Sequence, residues 1–203
     1  MSKKNNQPEL FVTVSQLTDQ DRSTIAEIYN SRVIWLSLEK NIPEQWGNDL
    51  ENEQDWEFID SGIAKGLKIV KMALPGSLLG SESEASPSPV AIYRTGPRPP
   101  YIPGDPDLPE ELEEDLSNEL YLSTLTVHVK YKGYNLGERI IELAKQEARD
   151  LGKEYLRLDC FQGVERNGVF EDSIVQYYVR NGFTRVRPFT AWIKKLNRDW
   201  SGI

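Results

Sequence analysis

The 203-residue sequence has one cysteine, Cys160, and one histidine, His128. A single thiol excludes an internal disulfide. One imidazole and one thiol build no metal site without clustered carboxylates, so no metal is expected. Positive charge is in deficit as well: 24 basic residues face 32 acidic ones, a net charge of −8. That balance removes the electrostatic footprint of a nucleic-acid or anionic-membrane binder and favours, if anything, a cationic partner. No apolar run approaches the length of a membrane span, and the opening MSKKNNQPEL lacks the apolar stretch of a signal peptide. The expectation is a cytoplasmic protein, with the nucleus left open. The common phosphate loops are also missing, since G-x-x-x-x-G-K-[ST] is absent and no G-x-G-x-x-G follows a strand.

What is present centres on ELYLSTLTVHVKYKGYNLGERIIELAKQEARDL, from Glu119 to Leu151. Its period changes part-way, from an apolar run suited to a buried strand to a 3.6-residue helical pattern. Between them lies Lys132-Gly133-Tyr134-Asn135-Leu136-Gly137, whose glycines let backbone approach a ligand closely. A turn that opens into a helix aims unpaired N–H groups and the positive end of the helix dipole at one spot, so a phosphate is the expected guest.

This junction resembles the acetyl-CoA loop of the GNAT acyltransferase superfamily, [QR]-x-x-G-x-[GA] after a strand ending in a short apolar triplet, here Leu125-Thr126-Val127. Lys132 stands where that family has Gln or Arg and Asn135 where it has Gly. Lys keeps a cation, without the planar fork of Arg, and Asn tolerates positive φ. Downstream, Tyr177-Tyr178-Val179-Arg180-Asn181-Gly182-Phe183 is similar to the family's L-Y-E-x-x-G-F segment. The resemblance spans about residues 10–197. It implies an acetyl-CoA-dependent transfer to an amine, with backbone of Leu125, Thr126 and Val127 along the pantetheine. Phosphates would lie on Lys132, Gly133, Tyr134, Asn135, Leu136, Gly137 and Glu138, and Tyr178 would protonate the leaving sulfur. The segment IWLSLEKNIPEQW looks like an element flanking the family's acceptor cleft, which makes Trp35, Gln45 and Trp46 acceptor-side candidates beside their plainer role of packing on the sheet.

The rest of the chain fits one domain, 1–203, with loop insertions near 75–89 and 96–118. Strands are expected at Leu10–Val14, Leu67–Leu74, Val90–Thr95, Glu119–Val129 and Tyr155–Cys160. Helices are expected from Thr18 to about Asn41, over Glu53–Lys65 and from Leu136 to a stop at Gly152. A C-terminal hairpin is expected near 184–187 and 190–195. The fold class is α/β (α+β): a mixed, mostly antiparallel twisted sheet of six to seven strands with helices on both faces. The resemblance adds a splayed central parallel strand pair.

No general base declares itself. Asp159, also a substrate-binding candidate, and Glu119 are carboxylates in suitable places, but the better reading of each is an ordinary surface carboxylate. His128 reads as a surface residue at the turn, and Cys160 as a small strand hydrophobe rather than a nucleophile. Glu171 stands where the resemblance would place an Asn seven residues before the tyrosine; Asn167 is a candidate substitute if the loop folds back. Two functions are open, an N-acetyltransferase acting on a small-molecule or peptide amine, and an acyl-CoA-binding module of the same fold. A homodimer is left open.

Overall fold

The computed structural model describes residues 11–39, 66–73, 87–98, 116–160, 164–166, 169–171 and 173–184. The elements are β1 (Phe11–Gln16), α1 (Arg22–Leu38), β2 (Leu67–Ala73), β3 (Ser88–Gly96), β4 (Glu119–Val127), α2 (Leu136–Asp150), β5 (Tyr155–Arg157), β6 (Val164–Arg166), β7 (Val169–Glu171) and α3 (Ser173–Arg180). The first five strands form one mixed sheet in chain order. Its pairs are antiparallel except β4–β5, which is parallel because α2 carries the chain back across.

Local chemistry explains the helix limits. Thr18 donates through both its N–H (3.0 Å) and its hydroxyl (2.9 Å) to the Asp21 carboxylate, which satisfies groups at the entry to α1. α2 carries an apolar stripe of Leu136, Ile140, Ile141, Ala144 and Ala148 and stops at Gly152, whose φ of +66° lets the Lys153 N–H return to the Ala148 carbonyl. Residues of a strand point alternately to opposite faces. Accordingly Leu67 and Ile69 of β2 join Ile25 and Ile28 of α1 in one apolar cluster, whereas Val70 and Met72 join Ile140, Ile141 and Ala144 of α2 in the other. Burying each such side chain contributes roughly 1.5–3 kcal/mol, so these stripes hold the helices on the sheet.

Three expectations need revision. The strand expected to reach Cys160 ends at Arg157, and β4 ends at Val127 rather than Val129. Glu119 is no surface carboxylate: it is 6% exposed. Arg98 grips it with two hydrogen bonds of 2.8 and 2.9 Å, and Arg157 lies 2.7 Å away. The enlarged connection after Cys160 contains a two-stranded sheet, β6–β7, paired from Val164↔Glu171 to Arg166↔Val169. In the sequence Asn167-Gly168 falls between the two strands, and that dipeptide is a short-range hairpin signal. Gln45, Trp46, Asn167, the helix at 53–65 and the strands beyond Thr184 lie outside the described residues, as do most of the two loop insertions. Among the described residues no helix is long and apolar enough to cross a membrane, and no cluster of His, Cys, Asp or Glu suits a metal ion.

Candidate active site

β4 and β5 pair only over Glu119–Tyr121 and Tyr155–Arg157, and then they part. On the other side of β4 the register to β3 slips between Ile92↔Thr126 and Arg94↔Ser123, so Tyr93 faces both Thr124 and Leu125. This is a β-bulge, which bends a strand and re-aims its backbone. Thr124 sits at its apex with φ +56°, an uncommon conformation for a β-branched residue. Beyond the bulge the His128 N–H donates to the Val90 carbonyl at 2.9 Å, towards β3. Backbone groups of an antiparallel strand alternate sides. Thr126 therefore also faces β3, while Leu125 and Val127 turn their N–H and C=O groups into the gap between β4 and β5.

A one-turn 3-10 helix, Val129–Tyr131, leads from β4 into the turn. Gly133 has φ +93° and Asn135 φ +53°, the left-handed region in which Asn is tolerated. Asn135 makes no side-chain cap on α2. Lys132, Gly133, Tyr134 and Asn135 are exposed, whereas the Leu136 side chain is buried at 2% exposure and offers the turn only its backbone. The first N–H groups of α2, at Leu136, Gly137 and Glu138, have no intrahelical acceptor and point out of the helix. Gly137 has a second reason to be glycine: a Cβ there would collide with the Tyr177 hydroxyl. Close approach at this position is thus between α2 and α3. Burial, with Glu138 nearby, pushes the Tyr177 phenol up to about 12.

α3 delivers Tyr178 to the gap. Its ring packs edge-on against Tyr177 (5.3 Å) and Phe183 (5.8 Å), and the helix closes through Gly182, φ +85°, with the Phe183 N–H on the Tyr178 carbonyl. Lys145 of α2 donates to the Asn181 carbonyl at 2.9 Å and ties the two helices together. The Tyr178 hydroxyl is in electrostatic reach of Cys160, Asp159 and Arg32. Burial raises its pKa well above the ordinary tyrosine value, Cys160, Tyr177 and Asp159 raise it further, and Arg32 acts against them.

The remaining candidates fall around this centre. Asp159 lies just past β5, exposed, and accepts the Tyr121 hydroxyl at 2.7 Å. Trp35 is half-buried and lies beside the turn rather than apart from it, with the Lys132 ammonium 5.1 Å from its ring centre. His128 accepts the Lys130 N–H on Nδ1 at 3.0 Å and places Nε2 3.5 Å from Glu27, so it is committed to the turn. Glu119 is locked between two arginines and is no general base.

Sequence reasoning missed Arg32. It donates to the Val127 carbonyl at 3.1 Å, stacks 4.9 Å from the Trp35 ring centre and faces Tyr178. Burial lowers its pKa, while Tyr178 acts in the opposite direction. The signal was available: Ile25, Ile28, Arg32 and Leu36 follow helical core spacing, which places a guanidinium in an apolar stripe.

No protein-family model matches the chain, and neither does any curated protein. Solved structures do. A GNAT-family acetyltransferase from Listeria monocytogenes 4b F2365 superposes with TM-score 0.57 at 22% identity, covering 87% of this chain and 88% of the other. An N-acetyltransferase from Staphylococcus aureus Mu50 gives 0.52 at 12% identity over 87% and 86% of the two chains. A ribosomal-protein-alanine N-acetyltransferase from Brucella melitensis gives 0.50 at 16% identity over 86% of each. The chain has the GNAT acyltransferase fold.

Proposed function

We propose that the protein is an N-acetyltransferase that moves acetyl from acetyl-CoA to a primary amine by direct attack. The supporting observation is the convergence on one gap of the bulged β4 backbone, the α2 N-terminus and the Tyr178 hydroxyl. When bound, acetyl-CoA supplies the thioester and the leaving thiolate. The residues present suit it. Leu125 and Val127 offer backbone groups to the pantetheine, and the N–H groups of Leu136, Gly137 and Glu138 with the Lys132 ammonium offer donors and charge to the phosphates. A Leu125 N–H aimed into the gap stabilises negative charge on the carbonyl oxygen as the amine nitrogen attacks.

The amine must be neutral to attack, and water carries its proton away; Asp159, near enough to act on the Tyr178 hydroxyl, is the candidate to guide that water. The C–N bond forms, the C–S bond breaks, and Tyr178 donates to the departing sulfur. With its pKa raised by burial, Tyr178 remains protonated through the neutral range, which makes it a hydrogen-bond donor first. Full proton transfer to a thiolate is uphill for such a phenol, and the Arg32 charge works in its favour by opposing the upward shift. The reading also takes the protein as one cytoplasmic domain, with the sheet extended to six or seven strands and helices on both faces.

Tyr178→Phe tests the assignment. Acetyl-CoA at about a hundred times its Kd stabilises parent and variant alike by roughly 2.7 kcal/mol, on the order of 5–10 °C in Tm for a chain of this length. The variant's kcat falls by roughly 10²-fold or more. Equal turnover of the two proteins removes Tyr178 from the chemistry. A thermal shift without transfer across a broad amine panel favours the acyl-CoA-binding module instead.

A further inference from the structure

Around Tyr178 stand two opposite charges that no ion pair compensates among the described residues. Arg32 has five N–H donors in a planar fork. Among the described residues the fork has one acceptor, the Val127 carbonyl at 3.1 Å, and one aromatic face, Trp35 at 4.9 Å; no described carboxylate forms an ion pair with it. A half-buried guanidinium without an anion is costly, which fits the direction in which burial moves its pKa. Asp159 is the mirror case. Its described partner is the neutral Tyr121 hydroxyl at 2.7 Å, and no described cation pairs with it. Both groups sense the Tyr178 hydroxyl, from opposite signs, and no ion pair links them to each other. Elsewhere the chain pairs such charges readily: Glu119 holds Arg98 and Arg157, and Glu147 holds Lys68 at 2.5 Å.

We infer that the acceptor is an amine carrying its own carboxylate, an α-amino acid or a close analogue, with the carboxylate on the Arg32 fork and the ammonium entering beside Asp159. The inference rests on the acetyltransferase reading and deepens it. The planar fork matches a carboxylate in two-point contact. The chain's net charge of −8 does not oppose such a ligand, because a zwitterion is neutral overall. A phosphate of acetyl-CoA is the other anion that could seek Arg32, but the α2 N-terminus and Lys132 already offer that group a site.

The test has a kinetic and a binding arm. In the first, a panel of L-amino acids and the matching primary amides, which keep the α-amine and lose the carboxylate charge, is assayed with acetyl-CoA for thiol release. For the parent, kcat/KM for the accepted acids exceeds that for their amides by roughly 10-fold or more, and in Arg32→Gln this ratio collapses towards one, with Arg32→Lys between them. In the second, N-acetyl-L-amino acids and their amides are titrated into the CoA complex, where the same preference and the same loss appear without turnover. Retained thermal stabilisation by acetyl-CoA shows that each variant is folded. Parity of acids and amides in the parent, or a preference that survives Arg32→Gln, overturns the inference and leaves the acetyltransferase reading intact. A loss of acetyl-CoA affinity in Arg32→Gln with an unchanged acid preference assigns Arg32 to the phosphates and overturns it too. Absence of any acetyl transfer overturns the underlying reading, whereas the binding arm still decides the carboxylate.

Discussion

The two ends of the β4–β5 pair are built from the same strands and have opposite electrostatics. At the closed end Glu119, buried, is gripped by Arg98 and Arg157, and three residue pairs join the strands. At the open end the strands have parted, and Arg32 and Asp159 face Tyr178 without ionic partners among the described residues. Charge that is paired and dry holds structure; charge left unspent in a gap is available to a ligand. Burial alone does not tell the two apart, since both ends hold sheltered ionic groups. The partner list does.

The largest expected effect comes from breaking the closed end. Glu119→Gln removes the carboxylate charge that Arg98 and Arg157 share, and removing one member of a buried pair costs about 3–5 kcal/mol. For a chain of this size that is on the order of 6–20 °C in Tm, measured by thermal melts. Substitutions at the open end, Asp159→Asn among them, change Tm by far less. If Glu119→Gln melts with the parent, the contrast between the ends is unsound.

A smaller effect separates what holds the open end together from what reacts there. Gly137→Ala drives a methyl into the Tyr177 hydroxyl, and overpacking of this kind costs about 1–3 kcal/mol. Adding Tyr177→Leu removes the obstruction, so the double variant regains most of the lost Tm. Failure of that rescue would mean that Gly137 answers to something other than α3.

The smallest is a pH effect. Tyr93 and Tyr177 are each pushed up to about 12, by burial first and then by Glu147 and Glu138 respectively, from an ordinary value of 10.0. A folded-state value above the unfolded one means that the unfolded chain releases its protons first. The contribution is therefore complete below pH 10 and is lost as pH rises towards 12. With Tyr177 partly exposed, the loss by pH 12 is on the order of 1–2 kcal/mol per tyrosine. Chemical denaturation across that range shows a falling stability whose slope is shallower in Tyr177→Phe. An unchanged slope would sink the burial of this hydroxyl against α2.

Much of this molecule was legible in the sequence because it is written in local spacing. The stripe from Leu136 to Ala148 with Gly152 behind it specifies α2, and the apolar run before it specifies β4. A helix joining two strands implies the parallel β4–β5 pair. Asn135 is compatible with the left-handed turn, and Y-Y-V-R-N-G-F is compatible with a helix that ends at Gly182. What the tertiary structure alone decided are contacts between residues far apart in the chain. Arg32 meets Val127 across 95 positions, Glu119 chooses Arg98 and Arg157 over solvent, and Asp159 takes the Tyr121 hydroxyl across 38. Periodicity records which face of an element is apolar. It does not record which polar groups meet when two faces close, and those meetings settle whether a carboxylate or a guanidinium is spent on the fold or left for a ligand.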